Sequence, residues 1–388
     1  MSQQNPNKPE AFTDTMFRKL SHVAICLEES VESHATAHWE DFHFVQQGIP
    51  DLNWDEIDTS TTAFGKTLAI PLIAAAMTGG HPEVRQVNEI IARAAQQLQF
   101  GMGVGSERAA LEKNQPYITE SFQIVRDLAP DTLLIANLGA AQFSDKGGYG
   151  SAEAQAAIAL IQANALAIHV NPAQEAVQVE GDTFFKNFFA RSCSIAEQIR
   201  TPIILKEVGS GFSREDAVRI EKSPFAGLDV GGLGGTSWVA VEALRAKQKG
   251  SALHQRLGEL LWDWGIPTAL SLVETRSATS KTIIATGGVR NGLQAAKALA
   301  LGADLVGMAL PFLKAAQQGI EGVEVMVKQL VSELKAVMFL TGCRTIADLR
   351  QVPMVVTGTS REWLTQRGLE LKRDGRQNDV VVGFGGRR

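Results

Sequence analysis

The chain has 388 residues, 45% of them hydrophobic, with 37 basic and 42 acidic side chains and a formal net charge of −5. That composition supports a large buried core, and without a basic excess neither nucleic acid nor an anionic membrane is expected as a partner. The three cysteines, Cys26, Cys193 and Cys343, are scattered and odd in number, which argues against a disulfide framework or a zinc site and predicts a reducing, cytoplasmic compartment.

Residues 1–16 are polar and lack the apolar run of a signal peptide, so they read as a mobile arm. Segment 17–64 leads into the region that carries the fold. From about residue 68, short apolar runs alternate with helix-like stretches: LAIPLIAAA (68–76), FGMGV (100–104), TLLIANL (132–138), ALAIHV (165–170), PIILKEV (202–208), GLDVGG (227–232), TIIATGG (282–288) and ADLVGMA (303–309). Their nearly continuous apolar character is that of parallel strands buried on both faces. Between them, residues 83–98 place Val84, Val87, Ile91, Ala94, Ala95 and Leu98 on one stripe. Ser213 with Glu215 and Asp216 opens a helix over 213–222, and a helix over 291–301 stops at Gly302. The run 266–272 would be a ninth strand, but Pro267-Thr268 also starts a helix, and a helix is assigned. Eight strand–helix alternations predict an α/β protein, a (β/α)8 TIM barrel with N- and C-terminal extensions. The chain reads as a single domain over 1–388, with the barrel core over about 68–320 and a C-terminal extension over about 320–388, helical to about 350 and then Gly- and Arg-rich.

In such barrels the active site gathers at the C-terminal strand ends, and the loops after strands 7 and 8 commonly bind phosphate. Here those loops carry Gly287-Gly288-Val289-Arg290 and Ala309-Leu310, each feeding a helix, which predicts a phosphate site for a phosphorylated ligand. After strand 6, four glycines in five positions precede Thr236-Ser237 and suggest a nest of N–H groups. Lys206, in an otherwise apolar strand, calls for an anion or a carboxylate beside it. Ala76, Met77 and Thr78 end strand 1 with room for a flat ring, Ser106 and Asn137 offer hydrogen bonds to a ring edge, and Arg108 offers a clamp for a second anion. Strand 4 ends in the densest polar cluster, from His169 through Gln174 and Glu175 to Gln178, Glu180 and Asp182. Glu175 is the candidate ligand for a hard cation such as Mg2+, which takes few carboxylates when phosphates supply the rest.

Taken together, RKLSH (18–22), AMTGG (76–80), GSERAAL (105–111), NLGA (137–140), HVNPAQEAVQVEGDTFF (169–185), LKEVGSG (205–211), DVGGLGGTSW (229–238), WGIPTALS (264–271) and GGVRNGLQAAKALALGADLVGMA (287–309) resemble the FMN-dependent type 2 isopentenyl-diphosphate isomerases, over roughly residues 17–345 and in the same order. The strand 4 and strand 6 blocks are specific to that resemblance, whereas the GGVR block is shared among FMN barrels. The resemblance implies that Ala76, Met77, Thr78, Ser106, Asn137, Lys206 and Thr236 hold the flavin and its tail, and that Gly287, Gly288, Val289, Ala309 and Leu310 cradle its phosphate. It implies that Arg18, Lys19, Ser106, Arg108 and Gln174 bind the substrate, that Glu175 binds Mg2+, and that His169 and Gln174 assist proton transfer. Ser21 departs from the acid that many relatives carry.

The implied reaction is a reversible 1,3-allylic proton shift between isopentenyl and dimethylallyl diphosphate, with FMN in its reduced form, Mg2+, and NADPH as reductant. A homo-oligomer, tetramer or octamer, is expected from the same resemblance. Two other readings remain open: an FMN-dependent 2-hydroxyacid oxidoreductase, which leaves Gln174 and Glu175 unexplained, and a flavin-binding scaffold without catalysis.

Overall fold

Each of the eight apolar runs contributes a strand, and in a computed structural model these strands close into a parallel barrel. The structure describes residues 14–77, 79–113, 115–374 and 377–382. The barrel strands are β1 (Leu72–Ala74), β2 (Gly101–Gly103), β3 (Leu134–Gly139), β4 (Ala165–Val170), β5 (Ile203–Glu207), β6 (Gly227–Asp229), β7 (Thr282–Thr286) and β8 (Leu305–Met308). Each pairs in parallel with its sequence neighbours, and β8 closes on β1 through Val306↔Leu72 and Met308↔Ala74. The right-handed crossovers required between parallel strands are made by helices. The expected stripe is realised in Pro82–Leu98, where Val84, Val87, Ile91, Ala94 and Ala95 are buried. Ser213 caps Arg214–Glu221 by accepting the Asp216 N–H at 3.2 Å. Residues 268–276 are helical, as assigned, and belong to the β6–β7 crossover with the helices Trp238–Gln248 and Ala252–Leu260.

Apolar side chains are divided between two layers. Ile73, Ile135, Ala167, Ile204 and Ile284 point into the barrel and cluster with Ala63 and Leu68 of the hairpin Thr61–Ala63/Lys66–Leu68. That cluster also holds Leu133, Ala165 and Leu305, at the N-terminal strand ends, so the hairpin plugs the bottom of the barrel. The opposite end is left for polar chemistry. The helices pack on the outside through a second, larger cluster.

The extensions are anchored rather than loose. The helix Asp14–Glu28 lies at the mouth of the barrel, and residues 1–13 of the expected arm lie outside the described residues. The C-terminal extension carries regular structure beyond residue 350. After the helix Gly319–Leu340 it adds a strand, Met354–Val356, paired with Phe42–Phe44 of the N-terminal segment, then the helix Gly358–Gln366 and a hairpin over Leu369–Asp374 and Gln377–Val382. Residues 383–388 lie outside the described residues. Among the described residues no helix is long and apolar enough to cross a membrane.

Candidate active site

A cleft opens at the C-terminal ends of the strands, and nearly every residue singled out from the sequence lines it. The wall from β1 carries Ala76 and Met77; Thr78 lies outside the described residues. Ser106 and Arg108 enter from the end of β2, Asn137 from β3, His169, Gln174 and Glu175 from β4 and the helix Pro172–Val177, and Lys206 from β5. Thr236, Gly287, Gly288, Ala309 and Leu310 complete the far side. Lys19 reaches the cleft from Asp14–Glu28; the backbone of Arg18 is in the same helix, and its side chain lies outside the described residues. The Val289 side chain is buried in the core, which leaves its backbone for the cradle, and Arg290 lines the cleft beside it.

The end of the cleft lined by Gly287 and Gly288 is built by backbone. Gly287 and Gly288 have φ of +117° and +67°, which a side chain rarely tolerates. A Cβ on Gly288 would run into the Gly234 carbonyl, and one on Gly287 into the Gly232 carbonyl. The loops after β6 and β7 therefore lie against each other, beside the N-terminus of Gly292–Ala300, which Asn291 caps by accepting the Gln294 N–H at 2.9 Å. The helix after β8 starts at Leu310 itself. Thr286 lines the cleft, and its hydroxyl is buried with no hydrogen-bond partner among the described residues. A buried polar atom beside a cleft is suited to a polar ligand. The glycine cradle, the small residues of β1 and this hydroxyl fit an FMN molecule.

Lys206 donates to Asp229 Oδ2 at 2.7 Å, and both side chains are buried. The strand-end carboxylate that the sequence left open is thus Asp229 rather than Glu207. Glu207 faces the other way: its Oε2 accepts the N–H groups of Val208, Gly209, Ser210 and Gly211 at 2.5–3.0 Å and shapes the loop after β5. Burial pushes the Glu207 carboxyl up to about 7, against the pull of those four donors.

On the opposite side, the cations gather. Lys19 donates to the carbonyls of Gly79 at 2.5 Å and Ser106 at 2.9 Å. Arg108 pairs with Glu112 at 2.7 Å. Burial works against the Arg108 charge, but Glu112 outweighs it and raises its pKa above the ordinary value. The strand 4 cluster divides into two. Glu175 accepts from Asn171 Nδ2 at 2.9 Å, from the Asp182 N–H at 2.7 Å and from Gln178 Nε2 at 3.3 Å, and Asn171 Nδ2 also donates to Gln174 Oε1 at 3.1 Å. These oxygen donors suit a hard cation held mainly by a phosphate ligand. No group of three or more His, Cys, Asp or Glu arranged to hold a metal occurs among the described residues. Glu180 instead turns outward to Arg245 and Lys249, which tie the loop to Trp238–Gln248.

The asparagine amide of the cleft can be oriented. Asn137 Nδ2 donates to the Val104 carbonyl at 3.1 Å, so Oδ1 faces His169 Nδ1 at 2.8 Å and accepts its proton. That places a proton on His169 Nδ1, on the Asn137 side of the ring.

Sequence reasoning missed a buried carboxylate that backs the cleft behind His22 and Gln174. Glu242, only 1% exposed, places Oε1 2.7 Å from His22 Nε2 and accepts from Gln174 Nε2 at 3.3 Å, while Oε2 accepts from Arg245 at 2.5 Å. Burial favours its neutral form, but the hydrogen bonds and charges of His22 and Arg245 outweigh burial and hold its pKa below the usual range. Trp238 meets the His22 ring edge-on at 5.2 Å. The available signal was a Glu and an Arg three apart in the apolar run WVAVEALRA. An isolated charge pair on a helix face ordinarily reads as solvated.

A family model described as FMN-dependent dehydrogenase matches residues 151–355. Curated relatives named isopentenyl-diphosphate delta-isomerase include those of Methanosarcina mazei (46% identical over 92% of this chain and 96% of the relative), Thermococcus kodakarensis (46%, 91% and 94%) and Pyrococcus furiosus (47%, 92% and 90%). Similar solved structures include an arginine-to-lysine variant of flavocytochrome b2 (TM-score 0.62, 20% identity, 91% of this chain and 86% of that one). Another is a mandelate oxidase variant with 2-hydroxy-phenylacetamide (TM-score 0.58, 16% identity, 90% and 100%). At that identity the structural likeness speaks for the barrel alone.

Proposed function

Because the chain belongs to the isopentenyl-diphosphate delta-isomerase family and is an isomerase, we propose that it interconverts isopentenyl and dimethylallyl diphosphate with reduced FMN and Mg2+. The observation that carries this reading is that one cleft is lined by the glycine cradle of Gly287 and Gly288 and by Lys19, Arg108, Glu175, His22 and Gln174, with buried Glu242 behind His22 and Gln174.

In the reaction the terminal alkene carbon gains a proton and the carbon two positions away loses one, so no net oxidation occurs. When bound, reduced FMN supplies a proton-exchanging ring atom and an electron-rich face that favours nearby positive charge. Ala76, Met77, Thr78, Ser106, Asn137, Lys206 and Thr236 hold the ring and tail; Gly287, Gly288, Ala309, Leu310 and the Val289 backbone hold the phosphate. Lys19 and Arg108, with Arg18, Ser106 and Gln174, grip the diphosphate, and Glu175 takes Mg2+ against it, which orients the alkene. Glu242 Oε1, where His22 and Gln174 converge, holds or passes a proton on the substrate side. His169, with a proton held on Nδ1, presents Nε2 for the same traffic. NADPH serves as reductant of the flavin. Copies of the chain associate into a homo-oligomer.

The test is anaerobic conversion of isopentenyl diphosphate with FMN, Mg2+ and NADPH, each omitted in turn. Conversion that needs reduced flavin but consumes no stoichiometric NADPH supports the reading. Bound flavin without conversion, or a protein that takes up no FMN, overturns it.

A further inference from the structure

One buried acid of the site has no part in the chemistry above. Glu107 follows Ser106 at the end of β2 and is 0% exposed. Its backbone N–H donates to the Asn137 carbonyl at 2.9 Å, and its Oε2 accepts the Asn137 N–H at 2.9 Å. One residue thus satisfies both backbone groups of Asn137, across the β2–β3 junction. Asn137 in turn fixes the His169 ring through Oδ1. The second carboxyl oxygen, Oε1, has no hydrogen-bond partner among the described residues.

A buried acid is an expensive way to fill a core position. A purely packing role would be met by an apolar residue of similar volume. What leucine cannot supply is the acceptor for the Asn137 N–H. Burial pushes the Glu107 carboxyl well above the usual range, with Lys19 as the opposing nearby charge. A neutral carboxyl still accepts through its carbonyl oxygen, so the clamp does not depend on ionisation.

We propose that Glu107 is a positioning residue of the isomerase site: its side-chain oxygen pins the Asn137 backbone and so holds His169 in its orientation with a proton on Nδ1. The inference rests on the functional reading above, to which it adds a residue that touches neither cofactor nor substrate. Arg108, though adjacent, takes its orientation from Glu112, so the diphosphate grip is separable from the clamp.

The experiment compares full-length, FMN-loaded wild type with Glu107→Leu and Glu107→Gln. It measures kcat and KM for isopentenyl diphosphate, and the ring signals of His169 after 15N-histidine labelling, assigned by their loss in His169→Gln. Leucine is expected to lower kcat about tenfold or more, leave KM within about threefold, and shift or broaden the His169 signals. Glutamine, which keeps an acceptor oxygen, is expected to restore wild-type values and signals. Unchanged His169 signals in the leucine variant overturn the proposal, as does a glutamine variant that loses about tenfold in kcat. Should the leucine variant fail to fold, the glutamine variant alone decides by the same two readings. A wild type that converts no substrate would remove the functional reading, while the His169 signals would still decide whether Glu107 positions the ring.

Discussion

Glu175 is held by Asn171 and the Asp182 N–H so that its carboxylate stays beside Gln174 and Gln178 on the cleft. Glu175→Gln keeps that size and removes the charge. The Mg2+ concentration for half-maximal activity should rise at least about tenfold with flavin content unchanged, as a metal titration will show. Glu242→Gln removes the charge on which His22 and Gln174 converge. It should lower kcat by about 10²-fold while the flavin spectrum of the purified protein stays the same. Of these two, Glu175 was legible because it stands in a run of polar residues too dense for an ordinary turn. Glu242 was not, because its meaning depends on His22, 220 positions away in sequence.

Elements, rather than single side chains, set the glycine cradle and the loop after β5. At Gly288 the left-handed backbone and the Gly234 carbonyl both exclude a side chain. Gly288→Ala should therefore cost about 1–3 kcal/mol and lower the FMN content of purified protein, read by calorimetry and absorbance. The β5 loop adds a dependence on pH. Glu207 has a folded pKa of about 7, above its ordinary 4.5, so between those values the folded state binds the proton more readily than the unfolded one. Its contribution is present below about 4.5 and is lost as pH rises to about 7, on the order of 3 kcal/mol. Glu207→Gln keeps an acceptor for the four N–H groups and removes the titration. The melting temperature of the variant relative to wild type should rise from pH 5 to pH 8; a parallel pair of curves would refute the assignment. The GG pairs announced a tight loop in the sequence, but the abutment of the β6 and β7 loops did not appear there, since no local pattern reports which loop a glycine faces.

At the scale of the whole molecule, buried polar contacts join apolar packing in binding the terminal extensions to the barrel. Glu274, 1% exposed on Thr268–Arg276, is met by Trp363 Nε1 at 2.7 Å and Arg367 Nε at 2.9 Å from the C-terminal extension. Arg367→Ala would leave a buried carboxylate short of its counter-charge and should destabilise the protein by about 3 kcal/mol, seen as a lower denaturant midpoint, with kcat little changed. On the N-terminal side, buried Lys297 donates to the Trp39 carbonyl at 2.7 Å. The helix Asp14–Glu28 brings Lys19 and His22 over the mouth.

The sequence by itself determined the eight strands, their order and the end of the barrel where chemistry collects. Those properties follow from local apolar periodicity, turn residues and the fixed handedness of parallel crossovers, and each run needs only its neighbours to be read. It also marked most of the cleft, because a lysine in an apolar strand or a polar run at a strand end is anomalous wherever it stands. Only the tertiary structure decided that Lys206 pairs with Asp229, that Glu242 receives His22 and Gln174, that Val289 turns into the core, and that the tail beyond residue 350 folds back as strand, helix and hairpin. Each of these depends on which distant groups share one buried place, and burial sets the strength of a polar contact. Chain order carries no record of that.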